Sequence, residues 1–392
     1  MSDAKKVLIL GGGFAGIDTA IYLRKEKYEV TLVSDREYFY IYPTSIWVPT
    51  GKATFDDVCI DLKRLQKAHG FDLIVDGVTK INAKEKRITL QSGKMLEGYD
   101  YLVMAMGASK MKPKGVEHTL SICGAPEQSL DIKERLDALI KKGSGKIAFG
   151  FGGNPNDTSA VRGGPAFELL FNVDTMLRKK GIRKNFELNV FAPMDKPGAR
   201  MGTKSLVMLE KMFNRANIIK HFGKKIKLFE KNEVVFEDDS KLEADFIMFI
   251  PAGDGHEVVK ASDMPLNAAG FIRINDYCEV EGIEGAYAVG DISALEGPEW
   301  RAKQGHLAEL MARNTAFNII AKDKGLHECK GYQEHINILC VMDSGNGAGF
   351  VYRDDKKAFL LPMPILGHWF KRGWGQYCKL SKLGKIPRIP GL

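Results

Sequence analysis

Gly11, Gly13 and Gly16, in the stretch LGGGFAG, satisfy a GxGxxG pattern between an apolar strand-like run and an amphipathic helical one. The first glycine permits a tight turn and the second lets the backbone approach a pyrophosphate. The third allows close helix packing, and the helix N-terminus adds partial positive charge. The ribose-binding acid expected at the end of the next strand is displaced: Ser34 stands in its place and Asp35 follows, and either can take the ribose hydroxyls. Far downstream, Asp291 follows Gly290 at the end of the apolar run AYAV, where a carboxylate can accept hydrogen bonds from a ribityl chain. The distance between the two segments favours FAD over NAD, because a split domain closing over an extended flavin draws on both ends of the chain.

Thiols are the second source of chemistry. The six cysteines, at positions 59, 123, 278, 329, 340 and 378, form no CxxC pair and no Cys/His cluster with zinc spacing. The pattern indicates neither a metal site nor a disulfide scaffold. Any reactive pair must be brought together by the fold.

The elements that would position these groups are legible as α/β units. Residues 5–33 read as strand, glycine turn, helix and strand, a βαβ unit. Residues 73–107 read as a short β-meander returning to a buried strand at 101–105. A second α/β unit opens at Lys146 with KIAFGFGG, continues through FELLFNVDTMLRKKG and FELNVFAP, and adds a buried strand within 242–253. Residues 286–320 read as a strand and a long helix, and 330–392 as a module richer in Gly, Pro and aromatics. The expected fold class is α/β with two Rossmann-like domains, one inserted in the other. The flavin domain is split over 1–112 and 286–325, the second domain spans 113–285, and a C-terminal membrane-interacting module spans 326–392.

The second glycine turn is degenerate. In GFGGNP, Pro155 stands where a third glycine belongs; it lacks an N–H and a small footprint. After the next strand come Ala192 and Pro193 rather than an acid. NADH is therefore a poor donor on sequence grounds, and a small reductant entering beside the flavin is expected.

The stretches VTLVSDREYFYIYP, LSICGAPE, GGPAFEL, YAVGDI, AKQGHLAELMARNTAFNI, LCVMDSGNGAGF and GHWFKRGWGQYCKLSKLGK follow one another as in the sulfide:quinone oxidoreductases, and the chain resembles that family over nearly its whole length. The resemblance implies FAD, sulfide as donor and a membrane quinone as acceptor. Besides the glycines, it implies flavin contacts from Phe14, Ala15, Pro43, Gly107, Gly290, Asp291 and Lys303. Cys340 matches the distal redox cysteine, and Cys123 the one that can join the relay or attach covalently to FAD. Glu168 matches a carboxylate that relays protons to quinone, and Lys303 a lysine that stabilises anionic reduced flavin. His306 reads equally as a helix-start packing residue or a proton carrier. Leu339, Trp374 and the position of Cys378 match the quinone entrance.

One departure matters. Arg162 occupies the place of the family's third cysteine, and no cysteine occurs between 124 and 277. The relay then joins Cys340 to Cys123, to Cys59 or to Cys378, or uses sulfide held by the Arg162 cation. Two further readings stay open: a quinone reductase with another donor, such as NADH, and a membrane-docked flavoprotein without turnover.

The chain has 392 residues and a net charge of +8. Residues 356–392 carry eight cations (Lys356, Lys357, Lys371, Arg372, Lys379, Lys382, Lys385 and Arg388) and no acid, which equals the whole excess. They interleave with Ile365, Leu366, Trp369, Phe370, Trp374 and Tyr377, so a helix over about 364–383 is expected to lie on an anionic membrane surface. No run approaches the roughly 20 apolar residues that span a bilayer, and the N-terminus lacks a secretory signal. A peripheral protein on the cytoplasmic face is expected, with no nucleic-acid partner and homo-oligomerisation left open.

Overall fold

The computed structural model describes residues 4–389; residues 1–3 and 390–392, at the outer ends of the expected domains, lie outside it. The run KVLIL forms the strand Lys6–Leu10, with Val7 to Leu10 buried. Strands apolar on both faces suit a parallel sheet covered on both sides. This strand lies at the centre of five parallel strands, in the order Ala286–Ala288, Tyr101–Met104, Lys6–Leu10, Glu29–Ser34, Asp72–Val75. A segment from the far end of the sequence thus completes the first sheet. The helices Phe14–Lys25 and Gly305–Asp323 pack together on it, bringing Gly13 and Asp291 to the same end.

A second parallel sheet runs Ile219–Phe222, Phe186–Ala192, Gly145–Phe151, Phe246–Ile250. The strand pairing of Ser109–Lys110 with Gly253–Asp254 ties it to the first. The expected meander is a three-stranded antiparallel sheet, Val78–Asn82, Arg87–Leu90 and Met95–Leu96.

The second glycine turn differs from its sequence reading. Gly150 lies inside the strand Gly145–Phe151, and the helix Gly164–Lys179 begins only after an irregular loop over 152–163. Pro155 therefore sits in that loop rather than at a helix-to-strand crossing. Asn154 Nδ2 donates to the Gly253 carbonyl at 2.9 Å and the backbone N–H of Lys303 to the Ser159 carbonyl at 3.1 Å, so the loop is fastened to both sides of the cleft.

The C-terminal segment forms an antiparallel sheet, Ile338–Asp343, Gly347–Arg353 and Ala358–Pro364, followed by the helix Leu366–Lys382. It is built into the rest of the molecule: Met342 belongs to the core around the second sheet and Cys378 to the core around the first. The helix buries Gly367, Lys371, Cys378, Ser381 and Lys382 on one face and exposes Leu366, Trp369 and Phe370 on the other. Three of the tail's cations point inward, which corrects the expectation of a uniformly lipid-facing charge. Lys371 pairs with Glu168, Lys382 with Asp18 and Glu309 at 2.7 Å each, and Arg388 with Asp18.

Candidate active site

One cleft of about 1860 Å³ runs between the two sheets to the C-terminal helix, larger than the roughly 300–1,000 Å³ of a drug-sized site. Its floor at one end is the glycine turn. Gly11 has φ +116° and donates its N–H to the Val33 carbonyl at 2.7 Å. A Cβ at Gly16 would overlap the Gly11 carbonyl oxygen, so the helix can approach the turn only without one. A Cβ at Gly13 would meet no atom within 4 Å and would project into open space, the space a pyrophosphate needs. Phe14, Ala15, Pro43, Gly107, Gly290 and Asp291 all line the cleft, as the sequence leads one to expect.

The two candidates for ribose separate. Ser34 is buried, with its hydroxyl donating to the Arg36 carbonyl at 2.8 Å and accepting from the Arg36 N–H at 3.2 Å. It caps its own turn and does not line the cleft, a correction to its candidacy; Asp35 does line it. Two buried polar atoms face this cleft without a protein partner, His256 Nδ1 and Gln304 Oε1. Burial lowers the His256 pKa, so its ring is neutral at pH 7. Orphaned polar atoms of this kind, with the Gly13 space, are what an extended cofactor with ring and ribose polar groups would satisfy. The residues present fit FAD.

Further along, Arg162 forms an ion pair with Asp291, so its charge is directed at the flavin-side carboxylate. Lys303 is buried, donates to the Ser293 carbonyl and lies 3.8 Å over the Phe271 ring. Burial pulls its pKa down to about 7, poising its charge near neutrality. Lys110, which sequence reasoning missed, also lines the cleft, and burial brings its pKa to about 8. Cys123 is buried in the same wall. Burial raises its thiol pKa, while the Lys110 and Arg162 cations oppose the rise.

At the C-terminal end of the cleft, Cys340 Sγ lies 4.0 Å from Glu168 Oε1. The other oxygen of Glu168 accepts from Lys371 Nζ, and both side chains are only 6% exposed. Burial raises the Glu168 pKa to about 7, against the lowering pull of Lys371. Burial, reinforced by the Glu168 carboxylate, pushes the Cys340 thiol up to about 12. Cys340 is therefore a thiol until a base or an S–S exchange changes it. A carboxyl group titrating near neutrality beside a thiol and an ammonium can hold and release a proton at working pH. Leu339, Trp374, Phe350 and Phe370 make the apolar wall next to it.

Two sequence candidates are not brought here. Cys378 packs in the core around the first sheet and does not line the cleft, correcting its place at an acceptor entrance. Cys59 lies on the strand Cys59–Asp61 paired with Tyr38–Tyr40, also outside the cleft lining. His306 does line the cleft, with Nε2 2.7 Å from Asn337 Oδ1, but burial lowers its pKa to about 4, and this favours packing over proton carriage. Among the described residues no His, Cys, Asp and Glu cluster could hold a metal, and no helix is long and apolar enough to cross a membrane.

Two parallel-sheet units, a glycine cradle on the first, orphaned polar groups in the cleft between them and a thiol–carboxyl pair define a flavin-dependent oxidoreductase with FAD as its cofactor. Residues 5–312 match the family model described as pyridine nucleotide-disulphide oxidoreductase, and the chain belongs to that family. It is 29% identical, over 95% of its length and 90% of the relative's, to a sulfide-quinone reductase from Aquifex aeolicus. It is 26% identical, over 91% of its length and 93% of the relative's, to a type II NADH:quinone oxidoreductase from Staphylococcus epidermidis. The X-ray structure of the Aquifex aeolicus sulfide:quinone oxidoreductase superposes with a TM-score of 0.86 at 27% identity, covering 97% of this chain and 92% of that one.

Proposed function

We propose that this flavoenzyme oxidises hydrosulfide and reduces a membrane quinone, with the donor at the Cys123 and Cys340 thiols and the acceptor at the Leu339–Trp374 wall. The observation that carries this reading is the convergence of Cys340, Glu168 and Lys371 in the cleft whose other wall holds Cys123. The balance is HS⁻ + H⁺ + quinone → sulfane sulfur + quinol. Bound FAD supplies two-electron transfer between the two halves.

On the donor side, Cys340 and Cys123 are both free thiols here. With the pair oxidised to an S–S bond and its two electrons passed to bound FAD, hydrosulfide would attack that bond: a new S–S bond would form to one cysteine, the old one would break, and the other would leave as a thiolate. Arg162 is ion-paired with Asp291, and both it and Lys110 act as cations on Cys123, with Lys110 the larger influence. Lys303 faces the region where negative charge accumulates on reduction. On the acceptor side, Glu168 in its acid form gives a proton to a quinone oxygen, and Lys371 holds the carboxylate that remains.

The enzyme would dock on a membrane without spanning it. Phe359, Leu361, Ile365, Leu366, Trp369 and Phe370 form an exposed apolar patch, with Leu366 at 74% and Trp369 at 61% exposure. Exposed Lys356, Lys357, Arg372 and Lys385 accompany it. At about 1 kcal/mol per cation near an anionic surface, these would add several kcal/mol to the apolar contribution.

A nicotinamide donor is the weaker reading, because the 152–163 loop replaces the compact glycine turn that would cradle its pyrophosphate. Steady-state reduction of a short-chain ubiquinone tests the choice. Sulfide is expected to support turnover and NADH to support little; turnover with NADH alone would overturn the sulfide reading.

A further inference from the structure

Beside the Lys371–Glu168 pair lies a second buried acid–base pair. His368 Nδ1 is 2.6 Å from Asp343 Oδ2, and Asp343 is fully buried while His368 keeps 17% exposure. His368 and Lys371 are three residues apart on the helix Leu366–Lys382, so they lie on one face, a turn apart. Their acids are joined as well. Asn172, one turn beyond Glu168 on its helix, donates through Nδ2 to the Glu168 carbonyl at 2.8 Å and to Asp343 Oδ1 at 2.9 Å. Lys52 Nζ closes the network at 2.7 Å from both Asn172 Oδ1 and the Gly345 carbonyl, and the Gly345 N–H donates to Asp343 Oδ1 at 2.8 Å.

We propose that His368 and Asp343 form a positioning pair that sets when Glu168 releases and regains its proton during acceptor reduction. The inference rests on the reading of Glu168 as proton donor. Asp343 is an anion whose field disfavours a second anion on Glu168, and the His368 side chain hydrogen-bonded to it is placed to offset that field. The other groups facing this region are few. Lys371 acts on Glu168, Glu168 acts on the Cys340 and Cys123 thiols, Asp343 and Lys179 act on Lys52, and uncharged Trp47 and Trp369 flank His368 at 5.2 and 6.1 Å. The inner pair faces the cleft, while the outer pair reaches the surface beside Trp369.

The sign of each substitution follows. H368Q removes the His368 bond to Asp343 and leaves the Asp343 charge held by Asn172 and Gly345 alone, so Glu168 holds its proton to higher pH. D343N removes the anion that raises the Glu168 pKa, so Glu168 releases its proton at lower pH. H368K keeps a hydrogen-bond donor to Asp343 on the same helix face and restores the parent behaviour.

The test is the pH dependence of quinone reduction by holoenzyme first reduced with dithionite, which removes the donor identity from the question. The alkaline limb should move up by roughly one pH unit in H368Q, move down by a similar amount in D343N, and return to within a few tenths in H368K. Flavin content and far-UV circular dichroism verify folding; should D343N not fold, H368Q and H368K still decide the matter. An unmoved limb in H368Q, or equal rate losses at every pH in H368Q and H368K, would overturn the proposal. E168Q separates the two levels: if it keeps the limb, the Glu168 reading fails first, and if it abolishes the limb while H368Q does not move it, only the pair fails.

Discussion

Glu168 bridges two parts of the enzyme with its two oxygens: one lies 4.0 Å from the sulfur of Cys340, and the other accepts from the buried Lys371 of the C-terminal helix. The same carboxyl group therefore touches the Cys340 thiol and the helix that carries Trp374 and the exposed surface patch. Burial holds its pKa up to about 7, so its acid form declines as pH rises through neutrality. E168Q should lower the quinone-reduction rate by roughly 10² to 10⁴ and remove the alkaline limb near pH 7, while flavin reduction by the donor persists. Stopped-flow measurement of the two half-reactions checks this; equal loss in both would deny Glu168 its acceptor role.

Lys371 shows where the sequence stops being legible. Along the chain it is one cation in a basic, aromatic tail, and composition assigns it to a membrane surface. The helical spacing of 367, 371, 374, 378 and 381–382 marks an inward face, but two lysines on that face read as solvated until their acids are known. Those acids, Glu168, Asp18 and Glu309, lie more than 70 residues away and reach the helix only through tertiary packing. By contrast, the turn at Gly11, Gly13 and Gly16 is legible, because a tight turn with close helix approach is a local backbone requirement written at fixed spacing. The 152–163 loop was half legible: its lost glycine pattern showed, but its length did not, since no periodicity marks where an irregular segment ends.

The Lys382 cluster yields a stability prediction. Lys382 is 1% exposed and sits between Asp18, which is 0% exposed, and Glu309. Removing its charge in K382M leaves buried carboxylates with Arg388 alone and should cost about 3–5 kcal/mol. Urea denaturation of holoenzyme measures it; a loss below about 1 kcal/mol would mean that water or rearrangement compensates the acids.

Lys303 gives a signed pH effect. Its folded pKa of about 7 lies below the usual lysine value of 10.5, so the protonated form is disfavoured in the folded state. The destabilisation is fully present below pH 7 and relieved as pH rises toward 10.5. K303M should therefore raise the melting temperature of flavin-stripped protein near pH 7, with the gap over wild type closing by about pH 10. A gap independent of pH would assign the effect to packing instead.

The surface patch predicts a separable loss. Leu366 and Trp369 should each contribute about 1.5–3 kcal/mol when buried in lipid. L366S/W369S should weaken binding to anionic phosphatidylglycerol vesicles at least about a hundredfold, while turnover with a water-soluble quinone continues. Undiminished vesicle co-sedimentation would place the docking surface elsewhere.

The central claim, that electrons enter as sulfide through the cysteine wall, is tested most directly by anaerobic mixing with the oxidised holoenzyme while following the flavin's visible band. Sulfide should bleach the wild type within the time of a turnover and leave C340S oxidised, with NADH bleaching neither. Bleaching of wild type by NADH but not by sulfide, or undiminished sulfide bleaching in C340S, would contradict it.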